Sequence, residues 1–150
     1  VLGVLCLAFI YLNDITNKTN KMFTIEDIKI AHSKVKSGAD FPGYIKDIKA
    51  LGVMLYETYV MDGHTDYYGV DNYKTATTAK YEVLTIADEA NAAQFTAYLK
   101  AHQQGTTDYS TFCNDCAKSG IEKWVVDVAR MTCTYYDTAG NEMLAEAIPQ

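Results

Sequence analysis

Glu57, His64 and Tyr56 form the best arrangement of reactive side chains in the chain. A carboxylate and an imidazole on neighbouring strands can work as a general acid–base pair, with Asp62 as the carboxylate that orients the ring. Residues 53–60 and 64–68 flank Asp62-Gly63, a tight-turn dipeptide, so the sequence predicts a hairpin that brings Glu57 and His64 onto adjacent strands. Tyr56 and Glu57 are consecutive, however, and consecutive strand side chains point to opposite faces. No nucleophile or oxyanion donor accompanies the pair. An exposed charged pair on the outside of a hairpin accounts for these residues equally well.

Cys113 and Cys116 have the C-x-x-C spacing of redox and zinc sites. A redox cysteine of this kind sits at a helix N-terminus after a strand. Here the pair falls inside a helix that Asp108 already caps, and the preceding element is another helix. Zinc needs two further ligands, and only a fold contact could bring His102 or Cys133 to the pair. Three-residue spacing is also how core positions recur on a helix, and a free thiol packs as a small hydrophobe. Core packing is therefore the expectation, with Cys113 and Cys116 as weak metal candidates.

Aromatic side chains suggest a third chemistry, recognition. Twelve tyrosines are the one oddity of composition. Tyr59, Tyr67, Tyr68, Trp124, Tyr135 and Tyr136 all fall in strand-like stretches, where one ring of each adjacent pair faces the core and the other solvent. The outward rings are candidates for contacting a protein or a small ligand. Filling of half-buried strands explains the same residues without any partner.

The net charge of −6 and the lack of any Lys/Arg cluster argue against nucleic acid, which needs a basic stripe to neutralise phosphates. No phosphate-binding glycine loop, paired catalytic carboxylates or Ser-His-Asp string is present, and no motif calls for a cofactor. Four cysteines in 150 residues do not make a disulfide framework, which points to a reducing cytoplasm. The expected partner is a protein or a small ligand, with no membrane contact for residues 22–150. Neither the ligand nor the oligomeric state is legible.

Residues 1–12 are almost uninterruptedly apolar, too few to cross a bilayer as a helix, and pass into a polar stretch ending at Lys21. Two explanations stand: a longer membrane anchor has lost its front, or upstream codons precede a true start at Met22. The second is favoured, because a helix signal begins directly after Met22, with Thr24 as N-cap and Glu26 and Asp27 in the first turn.

From there the elements alternate. A first helix runs toward Gly38 and a second from Asp40-Phe-Pro42 to Gly52. Strands follow at 53–60, 64–68 and 73–79, with 81–86 as a further strand or an extended connection. The second half predicts helices over 92–104 and 108–119, then strands over 122–128, 131–136 and 142–148. At an offset of 68 the halves align: Asp40 with Asp108, Tyr44 with Phe112, Gly52 with Gly120, Tyr56 with Trp124 and Tyr67-Tyr68 with Tyr135-Tyr136. The expectation is one α+β domain over 22–150, in which two pseudo-repeated helix–helix–antiparallel-strand units form one sheet with helices packed on one face.

Met22-Phe-Thr-Ile-Glu-Asp-Ile-Lys29 and Ala31-His-Ser-Lys-Val-Lys-Ser-Gly-Ala-Asp40 resemble the opening of the YbcV-like family. The resemblance continues through Tyr56-Glu-Thr-Tyr59, Asp62-Gly-His64, Leu99-Lys-Ala-His-Gln-Gln-Gly105, Phe112-Cys113, Glu122-Lys-Trp-Val-Val-Asp127 and Met131-Thr-Cys-Thr-Tyr-Tyr-Asp137. It covers Met22 to Pro149. The family consists of small bacterial proteins of unknown function, some encoded in prophages and sometimes labelled phage envelope protein. It brings no catalytic or binding residues. Together these readings predict a non-enzymatic accessory or binding protein that uses the sheet's outer face, with a Glu57/His64 enzyme as the alternative.

Overall fold

A computed structural model of the chain describes residues 22–150; the alternatives for the N-terminal segment concern residues outside this range. Among the described residues four α-helices and one six-stranded antiparallel sheet make an α+β fold. Helices α1 (Ile25–His32) and α2 (Phe41–Leu51) lead into strands β1 (Leu55–Tyr59), β2 (Thr65–Tyr68) and β3 (Lys74–Ala76). Helices α3 (Ala92–Gln103) and α4 (Tyr109–Lys118) lead into β4 (Ile121–Asp127), β5 (Thr132–Asp137) and β6 (Glu142–Ala147). The sheet order is β3-β2-β1-β4-β5-β6, so β1 and β4 meet at its centre.

Local chemistry sets most boundaries. Thr24 and Asp27 form a reciprocal capping box at α1, so an aspartate fills the role usually taken by glutamate. α1 ends at His32, six residues before Gly38, which instead opens a short 3-10 turn over Gly38–Asp40. The reason is a competing set of bonds: the Asp40 carboxylate accepts from the backbone of Lys36 and Ser37. Pro42 sits in the first turn of α2, and Gly52 ends that helix at φ +100°, a conformation that suits a residue without Cβ. Asp71 and Asn72 adopt left-handed φ values of 54° and 59° to turn β2 into β3, as short polar side chains allow.

Residues 81–86 are an extended connection rather than a strand. The Tyr81 hydroxyl donates to the Val60 carbonyl at 2.7 Å, and the Leu84 amide donates to the Met61 carbonyl at 2.7 Å. This strap is thereby tied to the β1–β2 turn.

Alternation of burial separates the two faces of the sheet. Tyr56, Thr58, Thr65, Tyr67, Trp124, Val126, Cys133 and Tyr135 are buried on one face. Helix side chains meet that face directly: Tyr44 of α2 contacts Tyr67, Phe95 of α3 packs on Tyr135 at 4.8 Å, and Phe112 of α4 packs on Trp124 at 5.8 Å. The alternate positions, including Glu57, Tyr59, Tyr68, Lys123 and Tyr136, are only partly buried.

Candidate functional site

A cleft of about 620 Å³ lies on the helix-facing side of the sheet. Its floor comes from inward residues of β1, β2 and β4, and its walls from α1, the start of α2, the residues after β3 and Tyr109 of α4. Two small hydroxyls make the space. Thr58 and Thr65 occupy inward positions where a sheet of this kind normally places bulky apolar side chains, and they satisfy each other across the strands at 3.0 Å. The Thr65 amide also donates to the Thr77 hydroxyl at 2.8 Å.

Aromatic rings flank this floor. Tyr56 and Tyr67 pack against each other at 5.3 Å, and the Tyr44 and Tyr67 hydroxyls lie 3.4 Å apart. Burial raises the Tyr44 phenol well above the ordinary tyrosine range and the Tyr67 phenol above its ordinary value, so both remain protonated donors. At the rim, His32 stands edge-on to Tyr44 at 5.3 Å, and Lys80 enters from the residues after β3. Desolvation lowers the His32 pKa, and the Lys80 charge lowers it further, so the ring is neutral at pH 7. Apolar walls with a few convergent polar groups are the usual make-up of a small-molecule site.

The residues singled out by sequence divide between the two faces. Tyr67 and Trp124 line the cleft, whereas Tyr135 is buried in the core against Phe95 and Trp124. Tyr59, Tyr68 and Tyr136 lie on the opposite face. Glu57 and His64 share that opposite face, but no hydrogen bond or ion pair joins them. The Glu57 carboxylate accepts from Lys123 at 2.8 Å, Tyr68 at 3.0 Å and Tyr59 at 3.2 Å. His64 stacks on Tyr59 at 4.5 Å, and its Nδ1 bonds the Asp62 carboxylate. The acid–base arrangement thus has its ring-orienting aspartate, while its base is engaged by an ammonium.

Burial alone would raise the Glu57 pKa, but the bonds from Lys123 and Tyr68 outweigh it and hold the carboxyl below its ordinary value. A depressed folded-state pKa stabilises the fold above the ordinary glutamate value of about 4.3, and the stabilisation is lost as pH falls through the folded value. Glu57→Gln is therefore expected to lower the urea midpoint at pH 7, by a margin that shrinks as the pH falls below the ordinary glutamate value of about 4.3 toward pH 3. An equal gap at both pH values would show that the ion pair contributes nothing.

Cys113 and Cys116 are both buried on α4, and burial raises both thiols above the ordinary range. Cys133 is pushed up to about 12, again by burial. All three are free. His102 stacks on Phe112 at 4.4 Å, with its Nδ1 turned to the Thr107 carbonyl at 3.2 Å. Among the described residues no group of three or more His, Cys, Asp or Glu side chains could hold a metal ion.

Sequence reasoning missed His32, Tyr44, Lys80 and Tyr109 as parts of one site. The available signal was indirect: threonines at positions 58 and 65, in register with inward-facing apolar residues.

Among the described residues no helix is long and apolar enough to cross a membrane. No curated protein matches the chain. A family model described as a protein of unknown function, DUF1398, matches residues 29–147, which spans the whole sheet and all of the cleft's lining but Ile25 and Ile28. The chain belongs to the DUF1398 family.

Proposed function

We propose that this protein is a non-enzymatic binding protein whose site is the helix-facing cleft rather than the outer face of the sheet. One observation carries this reading: a 620 Å³ cleft with aromatic walls and a hydroxyl-bearing floor in a domain of this size. The outer face is a weaker platform because its charges already neutralise one another. Glu57 holds Lys123, and Asp66 holds Lys74 at 2.7 Å.

Trp124 is the only tryptophan and lines the cleft, so it reports occupancy. N-phenyl-1-naphthylamine, an uncharged ring compound, is expected to give saturable energy transfer from Trp124. Thr78→Phe, at an exposed position on the rim, is expected to abolish the signal while leaving the melting temperature unchanged. Transfer that never saturates, or that Thr78→Phe leaves intact, overturns the reading.

The same proposal includes a duplicated scaffold over residues 22–150, built as one domain with all four helices on the cleft side of the sheet. Its support is the strand register. Tyr56 pairs with Tyr67 and Trp124 with Tyr135, while Leu55 pairs with Tyr68 and Lys123 with Tyr136, each pair displaced by 68 residues from the other. Glu57 pairs with Val125, its own counterpart at that offset, which is where a local twofold axis would pass. The YbcV-like strings and the prophage association they imply belong to this proposal and rest on the sequence resemblance alone. Free thiols at Cys113 and Cys116, one helical turn apart, favour a reducing cytoplasm.

A further inference from the structure

The charges around the cleft are of one sign. Lys29 and Lys80 line it beside the neutral His32, and no aspartate or glutamate does, in a chain of net charge −6. Lys29 stands 3.9 Å from Glu26 in solvent, so its charge is shared. Lys80 differs from the lysines elsewhere on the sheet side of the molecule. Lys74 and Lys123 lie within 2.8 Å of a carboxylate, whereas among the described residues Lys80 makes no ion pair. Its backbone is fixed all the same. The Lys80 amide donates to the Asp62 carbonyl at 2.8 Å, and the side chain is near enough to bias both His32 and Cys113.

Lys80 is exposed at the rim of the cleft and has no carboxylate partner there, so an arriving anion can pair with its ammonium beside the aromatic walls. The walls meanwhile favour a flat apolar body, since Tyr44, Tyr56, Tyr67 and Trp124 present rings around the floor. The Tyr44–Tyr67 hydroxyl pair has two protons and one internal bond, so one proton is available to a ligand oxygen. With His32 neutral and the Lys29 charge shared with Glu26, Lys80 suits a monoanion of the carboxylate or sulfonate type better than a phosphate dianion.

Building on the proposed cleft function, we infer that the ligand is a small organic monoanion with a ring-bearing apolar body, its charged group seated at Lys80. Desolvation lowers the Lys80 pKa, and a bound anion would raise it again, so binding and protonation support each other.

Two probes of one skeleton separate charge from shape: N-phenyl-1-naphthylamine and its sulfonate, 8-anilinonaphthalene-1-sulfonate. Both are titrated into the full chain, into Lys80→Met and into Lys100→Met, the last altering an exposed lysine outside the cleft. The sulfonate is expected to bind about tenfold more tightly than the neutral probe, and Lys80→Met to remove about that factor from the sulfonate alone. Lys100→Met is expected to change neither. Should Lys80→Met fold poorly, a fall in sulfonate affinity with added salt, absent for the neutral probe, decides the point on the parent chain. Equal affinities with no effect of Lys80→Met overturn the anion inference and leave the cleft reading standing. Failure of both probes to bind overturns the cleft reading itself.

Discussion

Phe95→Ala is expected to cost about 3–5 kcal/mol of folding stability, the largest single loss from any core truncation in this fold. Phe95 is completely buried, and its ring packs on Tyr135 of β5. α3 is otherwise thinly apolar: only Phe95 and Leu99 of its twelve residues are buried. The helix is thus held to the sheet chiefly by one ring. Truncation leaves a cavity that the strands cannot close, because β5 is bonded on both sides by β4 and β6. Thermal melts should show a fall of roughly 10–20 °C, and Phe95→Leu should recover most of it. A loss under about 1 kcal/mol in urea unfolding would mean that α3 is not an integral part of the core.

Gly120→Ala is expected to cost about 3 kcal/mol, although only one methyl group is added. Gly120 ends α4 at φ +77°, where an L side chain is strained. Backbone also crowds the position. A Cβ there would lie 2.7 Å from the Ala90 Cα and 3.0 Å from the Glu89 carbonyl oxygen. The strap before α3 is bonded to this point, with the Asn91 amide donating to Ser119 at 2.9 Å and the Ala87 amide to Ala117 at 2.9 Å. Gly52→Ala is the matched control. Gly52 has φ +100°, but no atom lies within 4 Å of the added Cβ, so it carries only the conformational strain, about 1 kcal/mol. Equal losses for the two substitutions in urea unfolding would show that the close approach to Ala90 contributes nothing.

The helix and turn chemistry was legible residue by residue. Thr24, Pro42, Gly52, Asp108 and Gly105 act locally, through bonds or φ angles within a few residues, and the elements start and stop where these residues require. Where the reading failed, a nearby bond had won over the pattern. α1 stops at His32 because Asp40 binds the backbone of Lys36 and Ser37. Of the two alternatives for 81–86, the extended connection is the one formed, because its polar groups pair with the β1–β2 turn.

The candidate sites fared differently. Sequence placed Glu57 and His64 on adjacent strands, and they do share a face, yet only the fold could bring in Lys123, 66 residues away, to take the Glu57 carboxylate. Binding candidates were chosen by ring type, and strand parity then divided them. Tyr67 and Trp124 face the cleft, and Tyr59, Tyr68 and Tyr136 face away.

By itself, the sequence determined the α+β class, the order of helices and strands, and their caps and turns, because those depend on spacing and on contacts within a turn or two. The tertiary structure decided the pairing of β1 with β4, the direction of each ring, and the gathering of His32, Tyr44, Thr58, Lys80 and Tyr109 around one cleft. Those residues come from five separate segments, and no local rule measures the distance between segments before the sheet's register fixes it.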